Sequence, residues 1–309
     1  MSIEKEGPLD PGVHLRAALL MLGSTAFFAC MAVVIRLASE TLHTFEIAFF
    51  RNFFGMLAAL PLLYKHGPGL LRTTQLPRYV VRCLLGVGAM FAGFWAIGNL
   101  PLAHAISLTY SSPLFVTIAA VFWLGEQVRA RRWTAVIVGF IGVLVIVRPG
   151  TEGFSAGSLV AVLAAILSGI VAIQIKQLSR TEPADRIVIW TTILWVPMSI
   201  LPALWVWEWP SGITWLWVVL AGVLGTSGHM LWTRALKLGE VSALQPISFM
   251  QLPLVAVAGW LLFGESLDRW TVIGAAIILS ANAYIAHREA TLLRRHATNA
   301  PVEAAKPGE

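Results

Sequence analysis

The chain has 309 residues, of which 57% are hydrophobic and 12% charged, with a formal net charge of +6. A soluble globular domain carries about 25% charged residues. Half that density does not coat a water-soluble body, which sets aside a soluble enzyme, a nucleic-acid binder and a disordered scaffold in favour of a polytopic membrane protein.

Residues 1–14 form a polar tail, and the first apolar run, 15–38, is too long for a signal-peptide core, so it reads as a first spanning helix. Apolar runs of the roughly 20 residues needed to cross a bilayer follow at 43–65, 78–98, 102–124, 130–148, 156–176, 186–207, 213–236, 240–263 and 269–288. The gaps carry turn signals: Gly67-Pro68, Asn99-Leu100-Pro101, Pro149-Gly150, Glu182-Pro183 and Pro210-Ser211-Gly212. Unsatisfied backbone groups are costly in lipid, so the runs are predicted to be helices rather than open strands. Cys30 and Cys83 each sit inside an apolar run and are expected as free thiols.

Ten spans place both termini on one side. Of the 22 Lys and Arg residues, 18 fall on the termini and the even-numbered connections, and only Arg36, Arg148 and Arg269 on the other side, with Arg51 inside a span. The positive-inside rule then predicts cytoplasmic termini. It also explains the net charge without any nucleic-acid partner. Trp205, Trp207, Trp209, Trp215 and Trp217 fall at the outer interface, where indole rings favour the headgroup level.

The halves resemble each other. Pro113-Leu114 recurs as Pro253-Leu254, Gly125-Glu126 as Gly264-Glu265, Arg132-Trp133-Thr134 as Arg269-Trp270-Thr271, and Phe94-Trp95 as Leu231-Trp232. The unit is five helices, an odd number, so the second copy enters the membrane from the opposite side. The charges agree: residues 127–132 hold three arginines, whereas 266–269 hold one. The expected architecture is an all-α integral membrane protein of ten transmembrane helices in two inverted five-helix repeats. Its expected parts are a cytoplasmic tail 1–14, repeats 15–148 and 156–288, a periplasmic linker 149–155 and a cytoplasmic tail 289–309. Inverted repeats place a substrate site near the midplane between the halves.

The run Leu42-His43-Thr44-Phe45-Glu46-Ile47-Ala48-Phe49-Phe50-Arg51, the Pro113-Leu114-Phe115 element, Gly125-Glu126, Gly139-Phe140-Ile141-Gly142-Val143 and Arg148-Pro149 resemble the ten-helix drug/metabolite transporter superfamily, in its EamA-domain group. The likeness covers residues 15 to about 288. It implies transport, with members that take up S-adenosylmethionine or riboflavin and others that export amino acids. Gln245-Pro246-Ile247-Ser248 in the ninth span is less like the S-adenosylmethionine type.

Polar residues within apolar runs are the candidate pathway. Arg51 lies about 12 Å into its span and has no acid at helical spacing, so it reads as a carboxylate or anion contact or as a backbone contact. His104, Ser107 and Ser111 share a helical face, flanked by Tyr110; Ser242, Gln245, Ser248 and Gln251 form the matching stripe in span nine. Pro113 and Pro253 are expected to kink both helices. Trp95, Trp232 and His229 are candidates for stacking a flat substrate. Arg36 and Lys176 are repeat mates that either snorkel or gate. Glu46 reads as a gate or a solvated rim residue, with the rim favoured. Glu126 and Glu265 end helices, where Arg131, Arg132 or Arg269 would offset their charge.

No His-x-x-x-His, Cys cluster or paired acid marks a metal or hydrolytic site, and no Walker A run is present in the sequence. No cofactor and no catalytic residue is expected. His104 and His229 leave proton coupling open beside facilitated diffusion. The reading is an inner-membrane secondary transporter, monomer or homodimer, moving a small amino-acid-like or heterocyclic metabolite by alternating access. The alternatives are a membrane-embedded enzyme acting on a lipid or lipid-linked substrate, and a non-transporting receptor.

Overall fold

The computed structural model describes residues 11–66, 68–125, 130–238, 244 and 247–303. Eleven α-helices and no strand are found among them: α1 (Pro11–Ala38), α2 (Thr44–His66), α3 (Leu76–Asn99), α4 (Leu102–Thr109), α5 (Ser112–Leu124), α6 (Ala130–Val147), α7 (Ala156–Leu178), α8 (Ala184–Ala203), α9 (Thr214–Leu238), α10 (Gln251–Phe263) and α11 (Arg269–Glu303). Seven segments are long and apolar enough to cross a membrane, and the shorter apolar helices 133–147 and 251–263 accompany them. The chain is therefore a multi-pass helical bundle.

Local chemistry explains most boundaries. Pro77 enters the first turn of α3, where its missing N–H is harmless. α3 stops at Leu100, which is extended (φ −116°, ψ 158°) because Pro101 follows it. α5 and α10 have 13 residues each and end on Gly125 and Gly264, both left-handed at φ 64°. A Cβ would strain that conformation, which accounts for glycine at both points.

One expectation is corrected. Span four is not a single helix kinked at Pro113. It breaks between α4 and α5 at Tyr110-Ser111, and Pro113 begins the second piece. A proline supplies no N–H to the carbonyl four residues back, so the break falls just before it.

Lipid tails give helices no hydrophobic reason to associate, so close packing relies on small residues. Gly222, Gly225 and Gly228 line one face of α9. A Cβ on Gly222 would lie 2.6 Å from the Phe54 Cβ, one on Gly225 2.8 Å from the Met31 sulfur, and one on Gly228 3.2 Å from Phe28. α6 and α11 meet at Gly142 and Gly274, each against the other's carbonyl oxygen. The outer surface is apolar, with Phe122, Trp123, Leu201, Trp260 and Leu261 exposed, whereas Ser24, Thr25, Asn52, Ser107, Thr117 and Ser199 are buried. Trp205 and Trp209 are exposed as an interfacial belt requires, but Trp207 packs 5.5 Å from both Phe49 and Phe50.

The most extensive pairings are α1 with α9, α6 with α11, α3 with α7, α2 with α9, α2 with α8, α5 with α7, α1 with α10 and α3 with α8. Cys30 and Cys83 are both free thiols.

Candidate functional site

Three polar groups join the helices. The first lies at the break in span four. The Tyr110 hydroxyl donates to the Ser248 carbonyl at 2.6 Å and meets Gln251 Oε1 at 3.1 Å. A phenol has one proton, which the shorter contact takes. The Gln251 amide, turned about its Cγ–Cδ bond, then donates to the phenol oxygen. Asn282 of α11 donates Nδ2–H to the Tyr110 carbonyl at 2.6 Å. An α11 side chain thus satisfies a carbonyl at the break, and buried backbone in lipid requires such a partner. Tyr110, Ser248 and Gln251 are brought together; Gln245 lies outside the described residues.

The rest of the span-four stripe is buried. Ser107 and Ser111 are fully buried and donate to the Ala103 and Leu108 carbonyls, both at 2.6 Å. His104 is buried, with Nε2 2.9 Å from the Ser158 hydroxyl and Nδ1 3.3 Å from that of Thr271. The imidazole, with a hydroxyl at each ring nitrogen, ties α4 to α7 and α11.

The second group joins α2, α3 and α8. Arg51 Nη1 donates to Asn52 Oδ1 at 3.0 Å, and Asn52 Nδ2 donates to Ser199 Oγ at 3.3 Å. The Arg51 guanidinium lies 5.7 Å from the Trp195 ring centroid, and the Arg82 guanidinium lies 6.0 Å from it. Arg82 is buried and donates to Thr191 Oγ1. The sequence reading had counted Arg82 among the loop cations. The overlooked signal is its spacing: Tyr79, Arg82, Cys83 and Gly86 fall at i, i+3, i+4 and i+7, one face of α3, and all four are buried. Trp195 carried no sequence signal, because its importance comes from the two arginines that tertiary packing brings to it.

The third group closes one end of the bundle. Arg36, at the end of α1, donates Nη1–H to the carbonyls of Ile97 (3.0 Å), Gly98 and Leu100 (3.3 Å), and its Nη2 lies 3.6 Å from Glu265 Oε1. Glu265 Oε2 accepts the Leu102 N–H at 2.8 Å. The snorkelling reading of Arg36 is corrected, because carbonyls and a carboxylate hold its head group. The expected offset of Glu265 by Arg269 is corrected too, since Arg36 from the other half does it. Arg148 and Asp268 pair at 3.1 Å nearby in the chain order of both halves.

Glu46 is not on a solvated rim: it is 1% exposed, and its carboxylate accepts the backbone N–H groups of His43 and Glu208. Both oxygens are thereby used, and Arg51 looks elsewhere for its contacts. Lys176 is exposed. His229 and Trp232 share a face of α9 with ring centroids 5.5 Å apart, and Trp95 and Trp232 are each more than a third exposed. An apolar cleft is lined by Cys30, Val33, Leu37, Trp217, Leu254 and Leu262.

Outside the spans, Glu182 is held below the usual carboxylate range. Burial pushes it up, and the hydrogen bonds from Thr73 (2.7 Å) and Arg186 (2.6 Å), with the charge of Arg186, outweigh that.

A multi-pass bundle with buried polar clusters shared between helices of both halves is the build of a membrane carrier, and no group able to hold a metal is found among the described residues. The chain belongs to the EamA-like transporter family, whose model matches twice, over residues 15–148 and 155–286. It is 33% identical over 257 residues to an S-adenosylmethionine uptake transporter of Rickettsia felis, covering 82% of this chain and 86% of that one. It is 33% identical over 286 residues to a riboflavin transporter of Vibrio cholerae, covering 91% and 96%. A pseudopaline exporter of Pseudomonas aeruginosa is 29% identical over 278 residues, covering 86% and 95%. One solved protein crystal structure shares the fold at a TM-score of 0.62 and 21% identity, covering 91% of this chain and 98% of that one. The protein is thus a membrane transporter of small metabolites.

Proposed function

We propose that the protein is a ten-span inner-membrane carrier built from two inverted five-helix repeats, with both termini cytoplasmic. Its substrate is a small amino-acid-like or flat heterocyclic metabolite, moved by alternating access. The observation that carries this reading is the pattern of helix pairing. Exchanging the halves turns α1 with α9 into α7 with α3, α2 with α9 into α8 with α3, and α5 with α7 into α10 with α1. α2 with α8 and α6 with α11 map onto themselves. A pseudo-two-fold arrangement of this kind supports an exchange between two mirror-related openings.

Within that reading Tyr110, Ser248 and Gln251 join the broken spans where the halves meet. Arg36 and Glu265 latch the end predicted to face outward, and rocking one half against the other separates them. Uptake of S-adenosylmethionine or riboflavin is the first activity to test, because those names recur among the relatives. The experiment is counterflow of labelled S-adenosylmethionine, riboflavin and aromatic amino acids in proteoliposomes, with and without a pH gradient. Counterflow of one of them, weakened in Tyr110→Phe, is expected; a gradient dependence would implicate His104 or His229. Absence of counterflow across the panel would count against the substrate class. Labelling of Val128→Cys and Leu267→Cys from the same compartment would sink the inverted topology.

A further inference from the structure

The column of Arg51, Trp195 and Arg82 has no role in the latch or at the broken spans, and no counter-charge meets it among the described residues. Arg82 is 7% exposed, and no carboxylate among the described residues lies within ion-pair distance of either guanidinium. The described hydrogen-bond partners are neutral: the Asn52 amide for Arg51, and the Thr191 hydroxyl and Cys83 sulfur for Arg82. Three buried donors have no partner: Arg51 Nε, Arg82 Nε and Trp195 Nε1. A buried cation and an unmade hydrogen bond are each expensive in an apolar medium, so three orphan donors at one aromatic ring require an explanation.

Depth adds to the argument. Arg82 is six residues into α3 and Trp195 eleven residues into α8, which is about 9 and 17 Å from the helix starts, whereas Arg51 is seven residues, about 10 Å, into α2. α2 and α3 run in opposite directions through consecutive spans. The two arginines therefore stand on either side of a tryptophan near mid-depth. Small residues make room for them: a Cβ on Gly86 would lie 3.2 Å from Trp195 Nε1, and one on Gly225 2.9 Å from Arg51 Nη2.

We propose that Arg51, Trp195 and Arg82 form an anion site, which receives the carboxylate or phosphate of the transported molecule. The proposal deepens the transport reading and rests on it. A guanidinium fork matches the paired oxygens of either group, and burial strengthens the contact. The anion replaces the missing counter-charge and accepts from the orphan donors. Two arginines at different depths give it successive stations along the pathway.

The test uses the full chain in phosphatidylcholine nanodiscs, where no anionic lipid competes. Trp195 emission is taken as the difference between the wild type and Trp195→Phe, and is quenched by iodide and by neutral acrylamide. The iodide-to-acrylamide quenching ratio is expected to fall by roughly fivefold or more in Arg51→Gln/Arg82→Gln, since two close positive charges are removed from a low-dielectric site. Arg82→Lys should retain the ratio. Acetate and inorganic phosphate, added separately, should each protect against iodide if the site takes that group, and the stronger protector names the class. In the wild type alone, riboflavin 5′-phosphate should protect at lower concentration than riboflavin. A ratio unmoved by the glutamine variants, or equal protection by the two flavins, overturns the anion site. Counterflow with a flat ratio removes the site and leaves the transport reading; the expected ratio without counterflow does the reverse.

Discussion

Glu265→Gln isolates the charge of the latch while keeping its shape. The amide oxygen still accepts from the Leu102 N–H, now 2.8 Å from Oε2, but the attraction to Arg36 Nη2 at 3.6 Å is lost. At an effective dielectric of about 20, two unit charges at that distance attract by about 5 kcal/mol. Most of this is offset. The Arg36 side chain is 24% exposed and that of Glu265 14%, and three carbonyls continue to hold the guanidinium. A partly buried, charge-assisted contact of this kind leaves a net contribution of about 1–2 kcal/mol. If the latch forms only in the closed state, its loss shifts the open-to-closed ratio by about 5- to 30-fold. The assay is maleimide labelling of Leu100→Cys, a position 6% exposed whose carbonyl contacts Arg36, in a Cys30→Ser/Cys83→Ser background. Labelling should accelerate by that factor in Glu265→Gln and by at least as much in Arg36→Gln, which also loses the three carbonyl contacts, with no further gain in the double variant over Arg36→Gln. Unchanged labelling in Glu265→Gln, or additive gains, would refute the latch.

Other expectations follow from particular contacts. Gly222→Ala should lower stability by about 1–3 kcal/mol, because its Cβ meets backbone on α2, the Gly55 nitrogen at 2.9 Å and the Arg51 oxygen at 3.0 Å. Gly23→Ala, whose Cβ meets the Leu231 Cδ1 at 3.4 Å, should be near neutral in the same thermal melt. Asn282→Leu strips the Tyr110 carbonyl of its donor and should cost about 1–3 kcal/mol, read as a lowered Tm, and counterflow should fall with it. Glu182 has a depressed value in the folded protein, so its contribution is full above the ordinary carboxylate range and is lost as pH falls through the depressed value. Acid titration of the melting temperature should therefore flatten in Glu182→Gln; an identical acid limb would remove Glu182 from the account.

The sequence alone determined that this chain crosses a membrane many times, because charge density and run length are set by composition and order. The limits 156–176 agree with the helix Ala156–Leu178, because apolar residues in lipid favour helix, whereas 102–124 holds two helices. The Gly125 and Gly264 stops were legible for the same local reason. The sequence also marked two polar stripes, His104, Ser107 and Ser111 flanked by Tyr110, and Ser242, Gln245, Ser248 and Gln251, since helical spacing and internal repetition are one-dimensional properties.

What only the tertiary structure decided is which polar group meets which. Glu265 takes Arg36, 229 residues away in sequence, rather than the adjacent Arg269. Glu46 is buried because the backbone at Glu208 folds over it. Arg82 looked like a loop cation until α8 covered it and placed Trp195 between it and Arg51. Electrostatic partners are chosen by distance through space in a medium of low dielectric, and a linear pattern carries no record of that distance.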